Sequence, residues 1–305
     1  MQDPDRTASL MTPAKLAQVK PKAPVSPAAW LDQMASDAGH ANVRRIADLQ
    51  EDLRSHAQGQ DFSSVAGELA RLGQALPLLD FGLLRSRGWW ARATGKGRTA
   101  GVEFVAQFER IEEAVQALAA QNQFLRKKQL QMAGADRALL ELEVESGALD
   151  QIIDQGTRWL QDMRNQLKAR EAADVDGAAR PQIEADTARC ELLVARLKAL
   201  RAVASAARQA RQQSQGTAAR RAGLIEMLQH ALDSDVKGWR ADVSAVAASV
   251  QGNSPARGLE DPMVSHRDLQ LCIKQAVADC AQLQLEEKAL AEQLGALASH
   301  LHAAS

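Results

Sequence analysis

The densest grouping of side chains that could do chemistry lies between Arg85 and Arg98. Arg85, Arg87, Arg92, Lys96 and Arg98 surround the pair Trp89–Trp90, and no acid occurs between Asp80 and Glu103. An indole offers a broad apolar ring with a polar edge, and the cations attract anions. The segment therefore suits an acidic partner, a membrane headgroup layer, nucleic acid or an oxyanion. Adjacent residues on a helix cannot both face inward, so one tryptophan is expected at the surface or in an irregular turn. The competing reading packs both indoles on the end of a helical bundle, with the cations keeping the loop hydrated. The string Gly95-Lys96-Gly97-Arg98-Thr99 has some texture of a phosphate loop. A phosphate loop needs a glycine five positions before the Gly-Lys glycine and Ser or Thr directly after the lysine, and here those positions are Trp90 and Gly97. The string reads as a loop without that function.

Other groups are weaker candidates. Arg208, Arg211, Arg220 and Arg221 form a basic stretch, read either as a solvated face paired with acids on a neighbouring helix or as an anion or RNA contact. Glu141, Glu143 and Glu145 fan out over different faces of a helix, which favours a solvated surface over an acid–base pair. His300 and His302 are the closest pair among six histidines, and residues two apart point to different sides of a helix. Cys190, Cys272 and Cys280 have no metal-binding spacing and sit within apolar stripes, as small buried thiols of a reducing cytoplasm do. We therefore expect no catalytic residue, no cofactor and no metal, and a chain that is not an enzyme.

Composition supports the same view. Of the 305 residues, 46% are hydrophobic and 25% charged, 37 basic residues nearly balance 38 acidic ones, and net charge is −1. That balance does not imply wholesale nucleic-acid binding. Aromatic residues reach only 3%, with no tyrosine. Chains rich in Ala, Leu, Gln, Arg and Glu prefer helix, because those side chains lose little freedom there. The longest apolar stretch, Leu76 to Leu84, is broken by Pro77, Asp80 and Gly82 and is far short of a membrane span of ~20 residues. The first residues show no charged n-region followed by an apolar h-region, so we expect no secretory signal and a cytoplasmic location.

The elements that would carry these groups are helices. Residues 1–26, with four prolines and several lysines, read as a disordered tail. Ser26-Pro27 is a helix start. A first helix runs towards Gly59, and a second spans about Ser63 to Leu76. The short helices and the basic aromatic segment make up residues 27–101, and residues 102–305 an elongated helical bundle. There Phe104, Phe108, Ile111, Val115, Leu118, Asn122 and Leu125 alternate steps of four and three, a heptad seam with one polar member. The seam slips near Gly134 and resumes through Leu149, Ile152, Trp159, Met163 and Leu167. A second stripe runs from Ile183 through Leu200 to Ala207, and Gly216 marks a kink. It restarts at Leu224 and continues to Val250. The last helix repeats the step from Leu269 to Leu301, broken only by Glu287. Long helices joined by short polar turns at 171–181 and 252–262 must run antiparallel. The fold class is all-α: long antiparallel coiled-coil-like helices in a three-helix bundle or hairpin, topped by the shorter N-terminal helices. The seams face one another or a second copy of the chain.

The order of elements resembles the tellurite-resistance, or toxic-anion-resistance, family of bacterial proteins. The likeness is carried by Phe81-Gly82-Leu83-Leu84 through Arg87-Gly88-Trp89-Trp90-Ala91-Arg92, by Gln121-Asn122-Gln123-Phe124-Leu125 in the long seam, and by the Arg/Gln-rich Ala206 to Gln213. The family's Gly-Lys-Asp and Asp-Asn steps are replaced by Ala119-Ala120-Gln121-Asn122. The resemblance implies an all-helical accessory protein of tellurite or stress resistance and carries over no catalytic residue. Together these readings give a scaffold or interaction protein, acting in toxic-anion or envelope stress through a protein partner or self-association. The alternative is a nucleic-acid or membrane-surface binder using Arg85–Arg98.

Overall fold

The computed structural model describes residues 27–58, 62–84, 96–130, 133–252 and 258–305. Of these, 94% are helical and none lies in a strand. The helices are α1 (Pro27–Asp37), α2 (His40–Gln58), α3 (Ser63–Ala75), α4 (Lys96–Leu130), α5 (Ala133–Ala173), α6 (Arg180–His230), α7 (Lys237–Gln251) and α8 (Glu260–Ala304). Two 3-10 turns, Leu76–Leu78 and Phe81–Leu84, follow α3, the first containing Pro77.

The elements stack into four parallel-sided columns. Column one is α2–α3, column two α4–α5, column three α6–α7, and column four α8. α2 packs on α5 and α3 on α4; α5 packs on α6 and α4 on α7; α8 closes the square against α6, α7, α2 and α3. Directions follow from cross-column contacts. Glu112 meets Arg240, Asn122 meets Gln229, Glu143 meets Arg211, and Arg170 meets Asp186. Numbers rise on one side as they fall on the other, so columns two and three are antiparallel. Leu76 with His266 and Gln50 with Leu294 set column one antiparallel to α8. This is an up–down–up–down arrangement. α2 and α3 do not top the bundle as expected but lie lengthwise as its fourth corner, while α1 turns away at Gly39 and packs on α6. Their own stripes, Val43–Ile46–Leu49–Leu53 and Val65–Leu69–Leu72–Leu76, are buried in the groove between column two and α8.

Two apolar cores follow one another along the rod. One joins α2, α5, the first half of α6 and the end of α8. The other joins α3, α4, the end of α6, α7 and the start of α8. Each buried Leu or Ile contributes ~1.5–3 kcal/mol, and the sheer number of such positions sustains columns whose individual stripes are narrow. Between the cores lies a polar band of Asn122, Ser214, Thr217 and Arg221, all buried. The Asn122 amide donates to Gln229 Oε1 at 3.3 Å and to the Ile225 carbonyl at 3.4 Å, which fixes the register of α4 against α6.

Several local readings change. α6 continues through Gly216 without a break and passes through a π turn, Ala231–Val236, into α7. Column three is thus helical for about 110 Å at 1.5 Å per residue. The π turn adds one residue between buried Ala231 and Val236, which rephases the stripe towards α8. In α5, Ile153 and Leu160 are the buried residues, and Ile152 and Trp159 are half-buried. Neighbouring columns flank α5 on two sides, so its apolar face is two residues wide. Gly39, at φ 70°, turns α1 into α2, and a Cβ there would meet Leu149 and Leu200 at 2.9 and 3.1 Å.

Candidate functional surfaces

The basic aromatic segment is only partly placed. Arg85, Arg87, Trp89, Trp90 and Arg92 lie outside the described residues. Lys96 and Arg98 belong to the first turn of α4, so the backbone at residues 96–99 is helix rather than the expected loop. Their side chains also lie outside the described residues. The helix begins earlier because Gly97 and Gly101 do not halt a segment whose next turns are anchored by Phe104; Gly101 is itself buried against Val250.

Where α4, α7 and the start of α8 meet the second 3-10 turn lies an aromatic cluster. Phe81 packs edge-on against Phe104 at 5.3 Å and against His266 at 5.4 Å, and Phe108 lies 5.5 Å from Trp239. Trp239 Nε1–H can only donate, and it meets His266 Nδ1 at 3.1 Å. His266 therefore carries its proton on Nε2, which donates to the Leu76 carbonyl at 3.0 Å. The Gln270 amide lies 3.0 Å from the same Nε2, which requires its oxygen to face the ring. Burial lowers the His266 pKa, and the bond to Leu76 opposes that in part. One neutral imidazole thus ties α7, α8 and the 3-10 turn together.

The basic stretch of α6 is fully engaged. Arg208 pairs with Asp150, Arg211 with Glu143 at 2.7 Å, Arg220 with Glu286 at 2.8 Å, and Arg221 with Glu287 at 2.8 Å. Two of these partners come from α5 and two from α8. The stretch is a stitched face, not a free basic surface. The three glutamates of α5 fan out as their spacing predicts. Glu141 takes Arg45 and Arg137, Glu143 takes Arg211, and Glu145 accepts from Asn42 at 2.7 Å. Hydrogen bonding to Arg45 holds the Glu141 carboxyl below the usual carboxylate range.

The thiols sit where the stripes place them. Cys190 and Cys280 are buried and Cys272 is half-buried. Burial raises all three, with Cys272 and Cys280 pushed up to about 11, so they stay protonated and unreactive near neutral pH. His300 and His302 are both exposed, on either side of buried Leu301.

Two features escape sequence reading. Arg196 donates from Nε to the Ala38 carbonyl at 3.0 Å and from Nη1 to the Ala304 carbonyl, joining α6 to the α1–α2 junction and to the end of α8. It borders an open recess of about 460 Å³ with Asp32, Ser36, Leu192 and Ala303. Nothing in the pattern around Arg196 distinguishes it from its exposed neighbours. The second is the outer face of α8, where Val264, Leu271 and Leu285 are exposed. Its signal was present as a seven-residue spacing beside the stronger inward seam. The chain matches no protein-family model, no curated protein and no solved structure.

Proposed function

We propose that the protein is a non-enzymatic helical scaffold that works by presenting its surface to a partner. The observation that carries this reading is how the interior is filled. Two lengthwise apolar cores occupy the rod, and the polar band between them contains Arg221 already paired with Glu287. Side chains locked this way hold surface positions at fixed spacings along a stiff body. The likeness in element order to the toxic-anion-resistance proteins supplies a setting, tellurite or envelope stress.

The test is cross-linking in the host followed by sizing of the native complex. A scaffold migrates in a stoichiometric assembly that purified components rebuild. A chain that runs alone at its own mass at its natural concentration refutes the reading. Tellurite tolerance that is unchanged on deletion removes the setting but leaves the scaffold. The second reading, a nucleic-acid or anionic-membrane binder, is favoured by the cations and tryptophans of Arg85–Arg98. Salt-dependent binding that disappears in an Arg87→Glu/Arg92→Glu variant supports it, and unchanged binding removes it.

A further inference from the structure

α8 buries one face and carries a second pattern on the other. Val264, Leu271, Ala278 and Leu285 recur every seven residues and are all exposed, Leu271 at 59% and Leu285 at 65%. Arg267, Lys274, Ala281 and Lys288 each follow three residues later and are also exposed. At 100° per residue, all eight fall within about a third of the helix circumference, opposite the buried stripe through Ile273, Ala276 and Cys280. No acid lies on this ridge between Glu260 and Glu292. The nearest acids, Asp268, Asp279 and Glu286, run along one flank. Asp268 is 3.8 Å from Arg267, and Glu286 is held by Arg220.

A single apolar row repeating every seven residues, edged three residues further on by Arg267, Lys274 and Lys288, is half of a heptad seam with a cationic border. Such a ridge suits a helix that brings apolar side chains to the row and carboxylates to the border. It extends about 32 Å, three heptads. The apolar strip is one side chain wide and borders an acidic row, whereas a membrane surface needs a broad apolar face with cations on both sides. A second copy also fits poorly. In parallel pairing Arg267, Lys274 and Lys288 would each meet themselves, and in antiparallel pairing leucines would meet lysines. The chain's own undescribed segments do not complement the ridge either: residues 1–26 hold two acids and residues 85–95 none.

We propose that this outward ridge of α8 docks an acidic amphipathic helix of a partner protein. Apolar side chains of that helix pack on Val264, Leu271 and Leu285, with the small Ala278 and Ala281 admitting larger ones. Its carboxylates meet Arg267, Lys274 and Lys288. The inference rests on the scaffold reading and names the class of partner.

The test uses the purified full chain and a labelled 24-residue synthetic helix with leucine along its seam and glutamate elsewhere, read by fluorescence anisotropy. The wild type should bind it at least tenfold more tightly than a scrambled peptide of the same composition. Leu271→Ser/Leu285→Ser should lose at least tenfold. Arg267→Glu/Lys274→Glu should lose as much and gain affinity for a peptide with lysine in place of glutamate. All four positions are exposed, and circular dichroism melting verifies each variant; should one misfold, the other carries the test. Equal binding of the scrambled peptide, or wild-type affinity in both variants, overturns the proposal. Ridge-dependent binding to phosphatidylserine vesicles without peptide binding assigns the face to a membrane. A dimer lost in Leu271→Ser/Leu285→Ser assigns it to a second copy. Either result removes the partner helix. A native complex that survives both ridge variants sinks the ridge alone, and absence of any native complex sinks the scaffold reading.

Discussion

Replacing Arg221 by methionine should destabilise the protein by about 2–4 kcal/mol, and replacing Arg221 and Glu287 together should restore most of that loss. The Arg221 side chain is 7% exposed and its partner 22%, with Nε 2.8 Å from Oε1. Removing the guanidinium leaves a carboxylate in the polar band between the two cores without its main counter-charge. Breaking a buried pair costs ~3–5 kcal/mol. Glu287 keeps some access to water, which places this case towards the lower end. Methionine retains much of the stem volume, so little of the cost is cavity. In Arg221→Met/Glu287→Leu neither charge remains to be desolvated, and exchanges of this kind are neutral or stabilising by ~1–4 kcal/mol. The cycle should therefore show a coupling of at least about 2 kcal/mol. Urea unfolding of the wild type, both single variants and the double variant, followed at 222 nm with shared slopes, gives the four free energies. If the two single losses simply add in the double variant, the pair is not a desolvated unit and the description of the polar band is wrong. Nucleic-acid binding that vanished with Arg221→Met, while stability held, would return this arginine to the anion-binding reading.

Stability should also fall with acidity through His266. Its folded pKa is lowered by burial, so the unfolded chain binds the proton more readily, and stability present at neutral pH is lost as pH drops below about 6.5. Urea midpoints at pH 7.5 and 5.5 should differ in the wild type and differ less in His266→Gln; parallel shifts in both would assign the effect elsewhere. Leu294→Asp should unfold the first core or abolish cooperative melting, at a cost above about 4 kcal/mol, because Leu294 is 1% exposed and its carbonyl accepts from Gln50. An unaltered melting curve would mean that this stripe is not buried. Gly39→Ala should cost at least about 1–2 kcal/mol, since φ is 70° and the new methyl meets Leu149 at 2.9 Å. A neutral result would require the α1–α2 turn to be built differently.

The helical class and the inward seams were legible in the sequence because both are local. The alternating step from Leu269 to Leu301 defines a helix and one face of it, whatever it meets, and each of those positions apart from Glu287 is buried. The antiparallel turn of column two onto column three was equally legible, because a short polar link leaves no other course. What the seams meet was not legible. Periodicity does not say that α2 and α3 fill a corner rather than a cap, or that Ile153 and Leu160 lie deeper than Ile152 and Trp159. Nor does it pair Arg208 and Arg211 with α5 but Arg220 and Arg221 with α8. Such choices depend on which helices stand next to each other at a given height, and residues more than fifty positions apart determine that. The sequence alone therefore determined that this chain forms long helices with dry inner faces. Only the tertiary structure decided which arginines remain for a partner, because a charge is spent or free according to its neighbour in space, not its neighbour in the chain.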